Sequence, residues 1–448
     1  MSPSSWLWRS LALVSALALL APASAAPEPS KQLVDQAQLH ERNAEWDKAL
    51  AIYAGLFREH RHPDFQDRYQ HCLRRFWQTA RHQDESYRKE VLSLDYGQAL
   101  RLYNKVRDAL LDHALGKKNL EPGRLLSKGI EELDAALANP LFCQLHLPGK
   151  HAEIDAFRDF LKRKFTPREP FTRAQVEKQI RDIALAGQDL LQLNTTVTIL
   201  ELACGASYAI DGYTAYLTPH QFRELFDALK GETSDGNPTA SVAAELKTAS
   251  IGYLRILSFQ DSTLQDLDEK LESLSKAGIQ ALVLDLRGNP GGLVEVAVES
   301  AKRFLSSGVI ATVENQDPKF STVYQARGAA SFTLPMTVLV DGDTASAAEI
   351  LAGALKENDR ARLVGEPTYG KGCIQTLVKL PAANGVPTGG LRITIARFFS
   401  PKGQCYTGRG VLPDLLVPRV KPDMMDDGID HQLTEAIANL QRQLGMMR

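Results

Sequence analysis

The sequence predicts an α/β protein with a mainly α-helical amino-terminal region, and three observations carry that prediction. From Ile251 to Gly365, short apolar β-branched runs alternate with helical stretches, the pattern of a largely parallel sheet flanked by helices. Residues 31 to about 120 set apolar side chains at three and four spacing among many charges, with few glycines before Gly97. The loop Asp285-Leu286-Arg287-Gly288-Asn289-Pro290-Gly291-Gly292 follows one apolar run and precedes a helix, which places a glycine-rich turn at the carboxyl end of a parallel strand.

Taken in order, residues 1–25 read as a secretory signal peptide. Arg9 precedes a run from Leu11 to Ala21 in which only Ser15 is polar, and Ala23-Ser24-Ala25 is a small-residue cleavage site. The apolar run is short for a membrane span, so the expected location is secreted or periplasmic, with an uncleaved anchor as the alternative. Residues 26–120 form a helical region in which Trp46-Asp47-Lys48-Ala49-Leu50 leading to Tyr53 echoes Tyr96-Gly97-Gln98-Ala99-Leu100 leading to Tyr103. That echo resembles half of a tetratricopeptide repeat, although its offset does not match that family's period. Helix-bundle core is the plain reading, and a protein partner docked on this region is the sharper one. Residues 121–240 stay mainly helical and lead into the core.

The core, residues 241–420, is expected to contain strand Ile251 to Phe259, helix Leu264 to Lys276, strand Ile279 to Leu286, helix Leu293 to Leu305 and strand Val309 to Val313. Strand Met336 to Val340, a helix from Ala345 to Lys356 and strand Arg362 to Gly365 follow, and then a hairpin-like pair, Gly372 to Leu380 and Leu391 to Phe399. Residues 421–448 read as a carboxyl-terminal helix.

The chemistry concentrates on Asp343-Thr344-Ala345-Ser346-Ala347-Ala348-Glu349 and Thr368-Tyr369-Gly370-Lys371-Gly372-Cys373-Ile374-Gln375. No histidine occurs from Gln221 to Asp430, so a nucleophilic Ser346 must hand its proton to another base, and Lys371 is the candidate. Lysine serves as a base only when neutral, and flanking glycines with an apolar strand beyond them suit a buried amine, so a depressed Lys371 pKa is expected. Ser346 falls in the first turn of an apolar helix, where unpaired amides favour negative charge. The Ala347 amide and that of Gly291 or Gly292 are the expected oxyanion donors. Each feature has a bland counterpart: a serine cap, a solvated turn lysine and an ordinary glycine turn.

Their joint order resembles the carboxyl-terminal processing, or tail-specific, peptidases over roughly Ala249 to Pro418, with Gly410-Val411-Leu412-Pro413-Asp414 similar to that family's closing strand motif. The resemblance implies a ClpP/crotonase-like core, serine endopeptidase activity on proteins or peptides, Ser346 as nucleophile, Lys371 as general base and Gln375 as the residue that orients the lysine. It implies no metal or organic cofactor. Typical members carry a PDZ domain before the core, but only a short polar stretch separates Pro219 from Ser250 here, too short to build one, so reading of substrate carboxyl termini does not carry over.

A net charge of −2 with both signs interspersed leaves no electrostatic footprint for nucleic acid, and no run in the mature chain reaches transmembrane length. Five scattered cysteines, Cys72, Cys143, Cys204, Cys373 and Cys405, leave at least one unpaired and show no metal-site spacing. His60 and His62, near Asp64, read as exposed loop residues rather than a metal cluster. Two competing functions remain: a non-catalytic peptide-binding scaffold that keeps the fold, and an acyl-thioester enzyme of crotonase type.

Overall fold

The computed structural model describes residues 31–60, 62–116, 120–165, 171–419 and 429–445. The expected signal peptide and residues 421–428 of the expected carboxyl-terminal segment lie outside them. Among the described residues the chain forms two compact units: one takes the chain up to Glu224 together with Gln375–Ile395, the other takes Leu225–Ile374 together with the residues from Ala396 onward.

The first unit is built from α1 (Lys31–Arg42), α2 (Trp46–His60), α3 (Pro63–Gln83), α4 (Glu85–Lys89), α5 (Tyr96–His113), α6 (Pro122–Leu137), α7 (Pro140–His146), α8 (His151–Lys164), α9 (Arg173–Leu191) and α10 (Thr195–Ser207). Local chemistry sets the starts. Asp95 with Gln98, and Thr172 with Gln175, form reciprocal capping boxes, while Pro63, Pro122 and Pro140 open their helices where no amide hydrogen is needed. Helix α10 is buried on every face, which makes it the centre of the unit. It crosses α6 at two glycines: a Cβ on Gly205 would lie 2.7 Å from the Gly129 Cα and 2.5 Å from the Glu132 Cβ, so a larger residue would force the helices apart. Both echoed segments supply core, with Ala49, Tyr53, Ala99 and Tyr103 all buried.

His62 caps α3 by accepting the Asp64 amide at 3.3 Å, and His60 ends α2. No group of three or more His, Cys, Asp or Glu among the described residues is disposed to hold a metal.

Three strands join this helical unit. β1 (Ala215–Leu217) pairs antiparallel with the start of β10 (Gly390–Phe399), with Ala215 opposite Arg392, and β9 (Cys373–Lys379) pairs with β10 as the hairpin the sequence suggests. Leu380, Leu391 and Ile393 are buried in the helical core, so the segment that follows Lys371 in sequence packs among helices.

The chain passes into the second unit within α11 (Pro219–Lys230), and a turn bridged between Glu232 and Pro238 follows. Its sheet runs β11 (Leu415–Leu416), β8 (Arg362–Gly365), β7 (Met336–Val340), β4 (Ala281–Asp285), β3 (Ile251–Ile256), β2 (Val242–Leu246). The pairings are parallel from β11 to β3, and β2 is an antiparallel edge. Strand order follows chain order. Period-two alternation divides β4, whose residues are all buried: Ala281 and Val283 join Ile251, Leu339 and Val364 in a cluster closed by Ala436 and Leu440 of α15 (His431–Gln443). Helices α12 (Thr263–Lys276), α13 (Val294–Phe304) and α14 (Ala347–Glu357) connect the strands.

Two expectations are corrected here. The strand expected at Val309 to Val313 is the longer β5 (Ser307–Asn315), and it lies outside the parallel sheet, pairing antiparallel with β6 (Thr322–Arg327) and with Ala396–Phe399 of β10. Strand β6 escaped the sequence because it buries only Ala326 and so has no apolar periodicity. The motif Gly410 to Asp414 is not itself a strand; pairing begins at Leu415, after it.

Candidate active site

Strand β7 is buried throughout and ends in a turn that the neighbouring loop holds. The Asp341 amide donates to Thr344 Oγ1 at 3.0 Å, and that hydroxyl donates to the Leu286 carbonyl at 2.9 Å. Asp341 Oδ1 accepts the amides of Gly288 at 2.9 Å and Asp343 at 3.0 Å. The Ala345 amide donates to the Asn289 carbonyl at 2.9 Å. The loops after β4 and β7 are therefore stitched together before the chain reaches Ser346.

Ser346 occupies the capping position of α14 with φ 56° and ψ −119°, a conformation that non-glycine residues avoid at a cost of about 1–3 kcal/mol. Glu349, one turn on, stabilises it. The Ser346 amide donates to Glu349 Oε2 at 2.8 Å, and the Lys371 amide donates to the same oxygen at 2.8 Å. Glu349 Oε1 accepts the Gly370 amide at 2.7 Å and the Thr368 hydroxyl at 2.6 Å. One side chain thus brings the two principal sequence candidates onto a single oxygen atom. Glu349 is fully buried, and burial lifts its carboxyl above the ordinary 4.5, with the four donors offsetting part of that rise.

Lys371 is 8% exposed. It lies two residues before β9 rather than on the strand, because Gly370 and Gly372 pack too closely on the segment around Tyr406 to Gly410: a Cβ at Gly372 would meet the Thr407 Oγ1 at 2.5 Å, and Gly370, at φ 94°, accepts the Gly408 amide at 2.9 Å. Gln375 donates its side-chain amide to the Tyr213 carbonyl at 2.8 Å.

The glycine loop answers differently at its two positions. The Gly291 amide donates to Asn289 Oδ1 at 2.8 Å, so its hydrogen is already engaged. Gly291 is needed for space, since a Cβ there would lie 2.8 Å from the Ser346 Cβ and 3.0 Å from the Ala347 nitrogen. At Gly292, φ is 138° and a Cβ would fall 2.0 Å from the Phe259 carbonyl oxygen. Its amide finds no acceptor among the described residues. Ala347, the first residue of α14, has an amide with no intrahelical acceptor and lies against Gly291.

Reading the sequence for chemistry missed Glu349, Asn289 and Thr368 as positioning groups. For Glu349 a signal was present: Ser followed three residues later by Glu before an apolar run is the capping-box pattern. None of the five cysteines forms a disulfide; Cys373 is buried and Cys405 exposed.

Residues 250–417 match the family described as Peptidase family S41. The chain is 34% identical over 256 residues to a carboxyl-terminal-processing protease of Picosynechococcus, covering 56% of this chain and 59% of that protein. It is 36% identical over 182 residues to the carboxy-terminal processing protease CtpA of Bacillus subtilis, covering 40% and 38%. Among solved structures, a photosystem II D1 C-terminal processing protease is 33% identical, covering 41% of this chain and 50% of that one with a TM-score of 0.36. The chain therefore spans little more than half the length of the first of these relatives and less of the second.

Proposed function

We propose that this chain, whose residues 250–417 match the description of peptidase family S41, is a serine endopeptidase in which Ser346 is the nucleophile and Lys371 the general base. The observation that carries the reading is the shared Glu349 oxygen, which fixes the Ser346 and Lys371 backbones side by side while Ser346 is held in a strained turn. Lysine acts as a base when neutral, and this one is withdrawn from solvent.

The steps follow from that arrangement. The Lys371 amine takes the Ser346 hydroxyl proton as Oγ attacks the scissile carbonyl, and the Ala347 and Gly292 amides stabilise the resulting oxyanion. Collapse breaks the carbon–nitrogen bond, the Lys371 ammonium returns the proton to the departing amine, and water then hydrolyses the acyl-enzyme. Gly292 is preferred to Gly291 as the second donor because Asn289 occupies the Gly291 amide. Gln375 is retained as the residue that orients the lysine through its amide oxygen.

The substrates are peptides or proteins met outside the cytoplasm, given the amino-terminal pattern of residues 1–25. A turn bridged between Glu232 and Pro238 leads from α11 to β2, which supports the reading that substrate carboxyl termini are not selected by a PDZ groove at that point. A fluorophosphonate probe tests the assignment: it should label the wild-type chain and fail on Ser346→Ala, which should also lose cleavage of a quenched peptide. Labelling and cleavage in both, or in neither, would overturn the dyad, and the latter result would favour a peptide-binding scaffold.

A further inference from the structure

Arg287 makes more contacts than a loop residue ordinarily needs. Its amide and Nε donate to Asp285 Oδ1 at 2.8 and 3.0 Å, and its Nη2 donates to Asp285 Oδ2 at 2.7 Å. The outer edge of the same guanidinium grips Asp430, with Nη1 to Oδ1 and Nη2 to Oδ2 both at 2.9 Å, and Nη1 also reaches Gln432 Oε1 at 3.1 Å. A paired contact of this kind fixes the plane of the guanidinium as well as its position. Asp285 is wholly buried and is itself held by the Tyr253 hydroxyl at 2.6 Å, so the inner anchor is rigid.

Asp430 and Gln432 come from the beginning of α15, whose seat on the sheet does not depend on Arg287. Ala436 and Leu440 are buried against β4 and its neighbours, the Gln432 side-chain nitrogen donates to the Val417 carbonyl at 2.8 Å, and Asp430 Oδ1 caps the helix by accepting the Leu433 amide at 3.0 Å. On the other side of Arg287 the chain runs at once into Gly288, Asn289, Gly291 and Gly292. Asn289 ties that loop to the serine turn through the Ala345 amide and to the Ile256 carbonyl at 2.9 Å.

We propose that Asp430 and Gln432 are positioning residues: through Arg287 the carboxyl-terminal helix holds the glycine loop in register with the Ser346 turn. The inference rests on the peptidase reading above. Its physical content is that oxyanion donors work only where they are preorganised, and a loop containing three glycines has little stiffness of its own. Asp285 fixes where Arg287 starts; Asp430 and Gln432 fix which way its far edge points.

Asp430→Asn separates this role from helix capping, because asparagine caps a helix as well as aspartate does but presents an amide N–H to one guanidinium nitrogen. With a quenched peptide, the variant should lower kcat by about 10- to 100-fold, the range expected when a reacting group is misplaced by a fraction of an ångström to an ångström. KM and the thermal midpoint should stay near wild type, and the rate of fluorophosphonate labelling of Ser346 should fall with kcat. Gln432→Met keeps the carboxylate and the cap but removes the hydrogen bonds to Arg287 and to the Val417 carbonyl, and should lower kcat about two- to threefold; it carries the test if Asp430→Asn does not fold. Unchanged kcat in the folded variants, or a loss that disappears when rates are divided by the folded fraction, overturns the proposal. A wild-type chain that neither cleaves nor labels overturns the peptidase reading, and this one with it.

Discussion

Glu349 in the α/β unit and Glu201 in the helical unit are both fully buried, yet their surroundings are opposite in kind. Glu349 is satisfied by three main-chain amides and a hydroxyl. Glu201 is satisfied by charge: Arg81 Nη2 donates to both its oxygens at 2.9 and 2.8 Å, Gln78 donates at 3.0 Å, and His82 Nε2 lies 2.9 Å away. Burial raises Glu349 above the ordinary carboxyl range. It pushes Glu201 the same way, but Arg81 and His82 outweigh it and hold that carboxyl well below. Backbone donors make Glu349 a geometric fixture for the two segments that carry Ser346 and Lys371. Ionic partners make Glu201 the centre of a cluster that also contains Arg75 and Glu132, and they tie α3, α6 and α10 together.

The largest effect that would sharpen this contrast is on stability. Glu201→Gln leaves Arg81 and His82 short of their main anionic partner, and breaking a buried pair from one side costs about 3–5 kcal/mol. Urea unfolding followed by tryptophan fluorescence should show it, because Trp46 and Trp77 lie in the helical unit and the described residues of the other unit contain no tryptophan. A change below about 1 kcal/mol, the scale of an exposed pair, would mean that the cluster is not a desolvated one.

Glu349→Gln should lose less stability and more activity. The neutral side chain can still accept at one oxygen, but its amide nitrogen faces donors on the other side, and an unsatisfied buried donor costs roughly 1–3 kcal/mol. Whichever oxygen position the nitrogen takes, it strands either the Ser346 and Lys371 amides or the Gly370 amide beside Lys371, so kcat should fall further than the folded fraction does. Wild-type kcat in a folded Glu349→Gln chain would remove its positioning role.

The smallest effect is a sign in the pH dependence. His146 lies with its Nε2 3.2 Å from His82 Nδ1, and burial together with the neighbouring His82 lowers its pKa from 6.5 to about 4. The folded state then binds fewer protons than the unfolded chain, so the helical unit should lose stability as pH falls from 6.5 toward 4. Glu201, also depressed, adds to the loss below 4.5. Glu349 works the other way: its raised pKa weakens the folded state as pH rises from 4.5. Tryptophan-monitored melting at several pH values should therefore drop on acidification through this window, and a midpoint independent of pH between 6.5 and 4 would contradict the assignment.

Most of the α/β unit was legible in the sequence because its parallel strands are short, mainly apolar and separated by turn residues. Met336–Val340 and Arg362–Gly365 form strands where the pattern puts them. What escaped was set by partners distant in the chain. Strand β6 has no inward periodicity of its own and exists because β5 pairs with it. The hairpin after Lys371 reads as the end of the α/β core, but the apolar residues of Gln375–Ile395 are buried among helices from much earlier in the chain.

The chain by itself determined the chemistry on offer: a serine at a strand-to-helix turn, a lysine between glycines, a glycine-rich loop, and no histidine within reach in sequence. These are local patterns, and neighbouring residues suffice to impose them. Tertiary structure alone decided that Glu349 joins the serine and lysine backbones, that Asn289 engages one loop amide while the next finds no acceptor among the described residues, and that Arg287 answers to Asp430. The first and the last depend on hydrogen bonds between segments 22 and 143 residues apart, and the second on an Asn289 side chain that also holds the Ile256 carbonyl, 33 residues away; such bonds have direction and length only once the sheet has brought its strands together.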